Sequence, residues 1–312
     1  MTMRNQFSQI GLLLSLISIL LPTRKRPHNL LRLLASLAST TELPEKVEVI
    51  LRYDSDDRET QELVFPSYPF HITHCKGPRI GMGGLTTDCY RASKGDCIVL
   101  ANDDVVFHTK GWDRILRHAM CLFQDKIALF HVRDGYKNHV FPMFPIFSRK
   151  LCELLEDPFP ESYTGIHIDG HFYDIFERLK NLGHERRVYL DSIFIEHLYG
   201  LIGKAEWDAT YEERDRIRDD FPYFALWKVR ESAAERLYDA IEGRPWRELV
   251  KEKWDGRRSL MPLINLLMSK SQPKGYRIRF FCYNILRHYY EIFLKIKKMR
   301  NNPRVPSRKE VL

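Results

Sequence analysis

Two adjacent aspartates, Asp103 and Asp104, follow directly after an apolar run in the sequence. The run, Cys97 to Ala101, is short and rich in Ile, Val and Leu, which is typical of a strand buried on both faces of a parallel sheet. Open α/β sheets bind their ligands at the carboxyl ends of such strands. Two adjacent carboxylates repel each other, and a divalent cation with oxygen ligands offsets that repulsion directly. The pair therefore indicates a metal site, with a solvated acidic turn as the plainer interpretation.

The composition is that of a globular chain whose basic charge is concentrated at one end. The 312 residues are 44% hydrophobic, which is ample for a core, and the six cysteines show neither a CxxC pair nor zinc spacing. Several cysteines fall in apolar runs, which favours reduced, buried thiols in a cytosolic protein. Residues 270–312 hold 12 Lys and Arg against 2 Asp and Glu, whereas the whole chain has a net charge of +8. Arguments from basicity therefore concern this tail alone.

The apolar pattern predicts alternating strands and helices over the first two hundred residues. Ser15–Leu21 and Val47–Tyr53 are predicted strands, with a helix at 28–40 between them. Polar strand ends, such as Asp54, complete the pattern of a parallel βαβ unit. The apolar run at 10–21 is shorter than the roughly 20 residues that span a bilayer. We interpret it as a first core strand rather than a secretory signal, because its basic cluster follows the run.

Beyond residue 209 the sequence predicts helices. Residues 210–242 are rich in charged residues. Phe221 and Phe224 lie on one helix face, and most of the charged residues are expected to be solvated. The expected regions are an α/β domain at 1–209, a helical extension at 210–269 and a basic, aromatic-rich tail at 270–312.

The tail interleaves aromatic residues with cations. Five apolar residues recur at a spacing of three or four and would share one helix face: Ile278, Phe281, Ile285, Tyr289 and Phe293. An apolar face with a basic fringe suits an anionic membrane surface. Packing of that face against the rest of the protein is the alternative.

Several of these segments together resemble the family-2 glycosyltransferases of the GT-A fold. The resemblance covers about residues 15–210 and rests on Ile17-Ser-Ile-Leu-Leu-Pro-Thr-Arg-Lys-Arg-Pro27, the acidic strand end at Asp54, and Ala92-Ser-Lys-Gly-Asp-Cys-Ile-Val-Leu-Ala-Asn-Asp-Asp104. It implies a Rossmann-like α/β fold with a mostly parallel central sheet and flanking helices. It also implies an inverting enzyme that transfers a sugar from a nucleotide-diphosphate sugar, with a UDP-sugar as the expected donor, to a hydroxyl acceptor.

The resemblance assigns donor binding to residues from four separate segments. They are Pro22, Thr23, Arg26, Asp54, Arg79, Thr87, Asn102 and Asp103. Asp104 and His197, which ends a predicted late strand, are the implied ligands of Mn²⁺ or Mg²⁺. Asn102 replaces the first carboxylate of the family's Asp-x-Asp motif, which leaves the metal with fewer carboxylates.

A carboxylate at the start of a helix is implied as the catalytic base, and Asp169 lies in the matching place. As general base it would deprotonate the acceptor hydroxyl, while the metal stabilises the departing diphosphate. Inversion is implied because the family pattern supplies one base and no second carboxylate as nucleophile. The alternative for Asp169 is a helix cap that binds backbone amides. Asp174, five residues on, would face a different side.

Three other functional classes fit parts of the sequence. His167 and His171 have the spacing of a zinc helix, but Gly170 and the missing Glu disfavour a metal hydrolase. The strand before Asp104 is similar to a Walker B strand, but no Walker A sequence accompanies it. A non-catalytic binding or scaffold protein with a transferase fold is the alternative that Asn102 keeps open.

The expected partners are a nucleotide-sugar donor, a saccharide or glycoconjugate acceptor and, through residues 270–312, an anionic membrane surface. Nucleic acid is not expected. The expected location is the cytoplasm, with peripheral attachment to the inner face of the membrane.

Overall fold

The computed structural model describes residues 15–198, 204, 216–269 and 272–301. Parts of the predicted segments at 10–21, 210–242 and 270–312 lie outside these residues. The strands are β1 (Ile17–Pro22), β2 (Val47–Asp54), β3 (His71–Gly77), β4 (Cys97–Leu100), β5 (Val105–Phe107), β6 (Leu129–Arg133), β7 (Ile146–Ser148) and β8 (Arg187–His197). The helices are α1 (Pro27–Thr40), α2 (Arg58–Gln61), α3 (Met82–Ala92), α4 (Trp112–Met120), α5 (Arg149–Leu155), α6 (Ile168–Asn181), α7 (Arg216–Ala225), α8 (Trp227–Ile241), α9 (Met261–Met268) and α10 (Lys274–Asn301).

The strands among the described residues form one mixed sheet in the order β3-β2-β1-β4-β7-β6-β8-β5. β1 pairs in parallel with β2 and with β4, and β2 pairs in parallel with β3. This half of the sheet is the predicted βαβ arrangement. The other half is mixed, since β7 runs antiparallel to both of its neighbours, β4 and β6, whereas β6 and β8 are parallel.

Two apolar layers cover the sheet, one on each face. Along β1, Ile19 and Leu21 join the cluster that contains the apolar face of α1, whereas Leu20 joins the cluster that contains α6. This alternation follows from the two-residue period of a strand. Because both sides of β1 are covered, every residue of the strand is buried. The continuous apolar run in the sequence has this physical origin.

The carboxyl-terminal helices pack against the second layer. Phe224 of α7, Leu237 of α8 and Leu263 of α9 share a buried cluster with Phe172 of α6. The prediction that most charges in this region are solvated is wrong for four residues. Asp219, Asp220, Arg230 and Asp239 are at most 3% exposed. Each is buried together with an oppositely charged or hydrogen-bonding partner, which offsets the cost of removing the charge from water.

Helix α10 divides the apolar residues of the tail between two faces. Phe281 and Ile285 pack against the second apolar layer. Ile278, Tyr289 and Phe293 are 45%, 70% and 61% exposed. The prediction that these five apolar residues share one face of the helix is therefore wrong. Among the described residues, no helix combines the length and the apolar character needed to cross a membrane.

Candidate active site

The carboxyl ends of three parallel strands bring the predicted donor-binding segments together. In the register of the sheet, Leu20 of β1 lies beside Leu100 of β4, and Pro22 lies beside Arg52 of β2. The residues that follow these positions therefore meet at one edge of the sheet. A cavity of about 530 Å³ opens there. Among its lining residues are Pro22, Thr23, Arg24, Arg26, Asp54, Arg79, Asn102 and Asp103.

Asp103 is buried and is held by the loop that connects β1 to α1. Its carboxylate accepts hydrogen bonds from Thr23 Oγ1 at 2.7 Å and from Arg26 Nη1 at 3.1 Å. Burial, together with the neighbouring Asp104, raises the pKa of Asp103 to about 6. The Arg26 charge opposes this shift. The pair of adjacent carboxylates is thus partly neutralised by an arginine that lies between β1 and α1.

Asp104 faces His197 across the antiparallel pairing of β5 with β8. The register aligns Val105 with His197, which places the histidine beside the residue that precedes Val105. The Nε2 atom of His197 lies 3.5 Å from Oδ1 of Asp104, and both side chains are at most 4% exposed. These two atoms could hold one divalent cation. The described residues contain no cluster of three or more His, Cys, Asp or Glu able to hold a metal, so water or ligand phosphates would complete the shell.

Asp54 lies at the opposite side of the cavity in an arginine-rich setting. Arg24 Nη1 donates to its Oδ2 at 2.8 Å, and Arg52 Nη1 lies 3.5 Å from its Oδ1. Burial raises the pKa of Asp54, against the opposing charges of Arg24 and Arg52. Arg24 also donates two hydrogen bonds to Asp56. Arg24 was not among the predicted site residues, although it stands between Thr23 and Arg26 in the same motif.

Thr87 is the one predicted donor-site residue that lies elsewhere. It lines a separate cavity between α3 and α8, and its Oγ1 lies within hydrogen-bonding distance of the Phe159 carbonyl oxygen. Thr86, one residue earlier, faces the site instead. A difference of one residue turns a helical side chain by about 100°. Of the two threonines, Thr86 rather than Thr87 thus lines the cavity that contains Asp104 and His197.

Asp169 lies in the first turn of α6 and lines the same small cavity as Asp104 and His197. This cavity measures about 130 Å³ and adjoins the larger one, because Pro22 and Asn102 line both. The Asp169 carboxylate accepts a hydrogen bond from the Gly170 amide at 2.7 Å. Burial raises the pKa of Asp169. His167, not Asp169, occupies the position that caps the helix.

Asp174 is placed on another side of α6 and is engaged by other groups. Its carboxylate accepts hydrogen bonds from Arg178 at 2.9 Å, Arg230 at 2.7 Å and Gln272 at 3.2 Å. Burial alone would raise its pKa, but the two arginines outweigh burial and lower it. Asp174 is therefore a structural carboxylate of the helix contacts.

Two aspartates of α7 hold the loop that leads into α6. Asp219 accepts hydrogen bonds from the backbone amides of Thr164, Gly165 and Ile166 at 2.6–3.1 Å, and from the Thr164 hydroxyl at 2.5 Å. Asp220 lies 2.7 Å from His167 Nε2. This loop lines both cavities, so α7 fixes the wall of the site. No sequence signal pointed to this role, because the two aspartates are far from any recognised motif.

The sequence of residues 18–152 matches the family model described as Glycosyl transferase family 2. This segment contains β1, β4 and the Asp103–Asp104 pair. The match to family 2 thus covers residues 18–152, and the chain is a glycosyltransferase with the mixed α/β architecture of the GT-A fold. A search of curated protein sequences found no match.

Solved structures of two glycosyltransferases are among those similar to this chain. The structure of S. aureus TarS 1-349 in complex with UDP-GlcNAc has a TM-score of 0.48 and 11% identity, covering 88% of this chain and 73% of that one. The mannosyltransferase PcManGT from Pyrobaculum calidifontis, in complex with GDP-Man and Mn²⁺, has a TM-score of 0.45 and 12% identity, covering 92% and 85%.

Proposed function

We propose that this glycosyltransferase moves a sugar from a nucleotide-diphosphate sugar, a UDP-sugar in the first instance, to a hydroxyl group of a saccharide or glycoconjugate acceptor. The proposal includes inversion at the anomeric carbon. One observation supports it above all: the Asp169 carboxylate lines the same cavity as the Asp104–His197 pair. A base and a pair of metal-binding side chains on one small cavity suit the attack of an acceptor hydroxyl on a donor sugar.

The donor would lie along the larger cavity. Asp54 and Arg79 line one part of it and are proposed to contact the nucleoside, while Asp103 is proposed to lie beside the ribose. Thr23 and Arg26 hold Asp103 in place through hydrogen bonds before any ligand binds. Such prior ordering reduces the entropic cost of donor binding.

Asp169 is proposed to accept the proton of the attacking acceptor hydroxyl. A base is most effective when its pKa approaches the working pH, and burial moves the pKa of Asp169 in that direction. The hydrogen bond from the Gly170 amide fixes the orientation of the carboxylate. Inversion follows if Asp169 acts only as a base and no second carboxylate attacks the anomeric carbon.

Asp104 and His197 are the proposed ligands of Mn²⁺ or Mg²⁺. Their facing Oδ1 and Nε2 atoms, both buried, are a carboxylate–imidazole donor set that suits these ions. When bound, the cation would neutralise charge on the departing diphosphate. Arg26, 3.9 Å from Asp104, is the nearby positive charge that the protein itself supplies.

The experiment that tests donor and metal binding is a thermal-shift panel of UDP-, GDP-, CMP- and dTDP-sugars with and without Mn²⁺. A ligand at 100 times its dissociation constant stabilises the folded state by about 2.7 kcal/mol. We expect one nucleotide class to stabilise the parent in a Mn²⁺-dependent way. Asp104→Asn and His197→Ala should lose that dependence, whereas the exposed-site controls Asp96→Asn and His118→Ala should retain it.

Unfolding temperatures without ligand identify variants that are simply destabilised. Parent-like Mn²⁺-dependent stabilisation in folded Asp104→Asn would contradict the metal assignment. Turnover is then measured with the nucleotide-sugar selected by the panel, and the anomeric configuration of the product by NMR. A product that keeps the donor configuration would contradict the inverting mechanism.

A further inference from the structure

Helix α10 presents a continuous apolar surface to solvent. Five of its large side chains, 61–70% exposed, lie on one side: Tyr283, Leu286, Tyr289, Tyr290 and Phe293. Their spacing of three, four and seven residues gathers them within about 120° of the helix circumference. We call these five residues the α10 stripe. Contiguous exposed apolar patches of this kind mark interaction sites in soluble folds.

The opposite side of α10 is anchored to the protein, which fixes the direction of the stripe. His288 stacks on Phe221 with ring centroids 5.2 Å apart. Arg287 Nη1 lies 3.1 Å from Asp220 Oδ1 on α7. Phe280 packs at 6.2 Å from Phe224. The helix is thus attached through one face, and the α10 stripe is the face that these contacts leave outward.

The charge of α10 identifies the kind of partner. Over Lys274–Asn301 the sequence contains eight Lys and Arg and one acidic residue, Glu291. Lys274 and Arg279 are exposed. Tyrosine-rich apolar faces combined with an excess of cations match the boundary between lipid headgroups and acyl chains, where anionic lipids attract the cations.

We infer that α10 docks the enzyme on an anionic membrane surface through the α10 stripe. Tyr283, Tyr289 and Tyr290 combine apolar rings with hydroxyls that can stay in contact with water and headgroups. Leu286 and Phe293 have no polar side-chain atoms, and their side chains would insert among the lipid acyl chains. The helix would lie in the plane of the interface, because its other face stays bound to the protein. This surface is distinct from both cavities of the active site.

The test is co-sedimentation of the full chain with phosphatidylcholine vesicles and with vesicles that also contain phosphatidylglycerol. We expect the parent to pellet with the anionic vesicles, and less so as salt increases. Leu286→Ser combined with Phe293→Ser should weaken this binding about tenfold or more. The matched control removes two exposed apolar side chains elsewhere, Val64→Ser and Leu122→Ser, which are 87% and 64% exposed. The control should bind like the parent.

Cys282 gives an independent readout of the docking face. It is exposed and free, and it is next to Tyr283. An environment-sensitive dye on Cys282, in a Cys75→Ser/Cys121→Ser background, should shift to shorter wavelength on adding anionic vesicles. The same dye on Cys121, with Cys75 and Cys282 replaced by Ser, should not shift.

Four results would overturn the inference. The first is equal pelleting of parent and stripe variant, and the second is equal binding to neutral and anionic vesicles. In the third, the parent forms a dimer that the stripe variant dissociates, while neither chain pellets with vesicles; the stripe would then bind a second copy of the chain. Binding of the parent to a nucleic-acid duplex in preference to anionic vesicles would likewise contradict the lipid assignment.

Discussion

Carboxylates with the same chemistry have different environments in this protein, and their neighbours decide what each can do. Asp169 is half-buried beside a cavity and accepts a hydrogen bond from the Gly170 amide. Asp174, on the same helix, is bound by two buried arginines. Burial dominates the pKa of Asp169 and raises it, whereas the arginines dominate the pKa of Asp174 and lower it. This difference favours Asp169 as a proton acceptor and Asp174 as a structural anion.

Replacing Asp169 with Asn should lower kcat by a factor on the order of 10²–10⁴, because the amide cannot accept the acceptor proton. Donor affinity, measured by calorimetry, should change little. In the parent, kcat/KM should fall as the pH falls through the raised pKa of Asp169 and its protonated form accumulates. The variant should lack this acidic limb. Asp96→Asn, at an exposed position, is the control. Near-parental turnover in Asp169→Asn would show that Asp169 is not the catalytic base.

Replacing Asp174 with Ala should destabilise the fold by about 3–5 kcal/mol, because Arg178 and Arg230 would stay buried without their carboxylate. Since its pKa is lower in the folded state, Asp174 stabilises the protein above the unfolded-state pKa. That stability is lost as the pH falls through the folded-state pKa. Urea unfolding at neutral pH and at a pH below the ordinary aspartate value of 3.8 measures both effects. The exposed-site control Asp255→Ala should stay within about 0.5 kcal/mol of the parent in its free energy of unfolding. An equally small change for Asp174→Ala would contradict the stabilising role of Asp174.

At the scale of elements, α7 lines the larger cavity with Arg218 and Asp219 and also holds the loop that leads into α6. Asp219 binds three consecutive backbone amides of residues 164–166. The next residue, His167, has a φ of 78°, precedes the first residue of α6 and lies within hydrogen-bonding distance of Asp220. The geometry of Asp169 therefore depends on a helix that comes some fifty residues later in the chain.

Asp219→Ala should lower kcat/KM by about 10- to 100-fold, because the freed loop would displace both the cavity wall and Asp169. The matched control is Asp239→Ala on α8, which also removes a buried aspartate, one that pairs with Arg247 at 3.0 Å. Both variants should be destabilised, but only Asp219→Ala should lose activity beyond the loss of folded protein. Steady-state kinetics at a temperature where both variants are folded separates the two effects. Equal kinetic losses would contradict the positioning role.

At the scale of the whole molecule, the basic tail contributes to the fold as well as to the surface. Phe280 of α10 lies among the rings of Tyr223, Phe224 and Tyr276 at centroid distances of 5.8–6.2 Å. Gln272, just before α10, reaches Asp174 on α6. The chain end is thus linked to the helix that carries Asp169.

Phe280→Ala should reduce the free energy of unfolding by about 2–4 kcal/mol, because it removes a ring packed against other aromatic side chains. Tyr283→Ala, on the exposed face of the same helix, should change it by less than about 0.5 kcal/mol. Chemical denaturation of both variants measures the difference. Equal effects would mean that α10 is not held through this face.

Local sequence patterns predicted two features: the elements β1, α1, β2 and β4, and the polar residues at the strand ends. Both follow from local rules: a short apolar run rich in Ile, Val and Leu is typical of a strand covered on both faces, as at Cys97–Leu100. Parallel strands necessarily bring their carboxyl ends together, so the amino-acid sequence alone groups Pro22, Asp54 and Asp103 at one edge of the sheet.

Tertiary packing, in contrast, sets which side of each helix meets which neighbour. Thr86 rather than Thr87 faces the site because the phase of α3 is set by packing against the sheet. Asp219 and Asp220 look like solvated charges in the sequence, since periodicity does not reveal a partner that is distant along the chain. In α10, apolar residues cover so much of the circumference that only the contacts with α7 select the buried face. These features depend on long-range contacts, which local patterns do not encode.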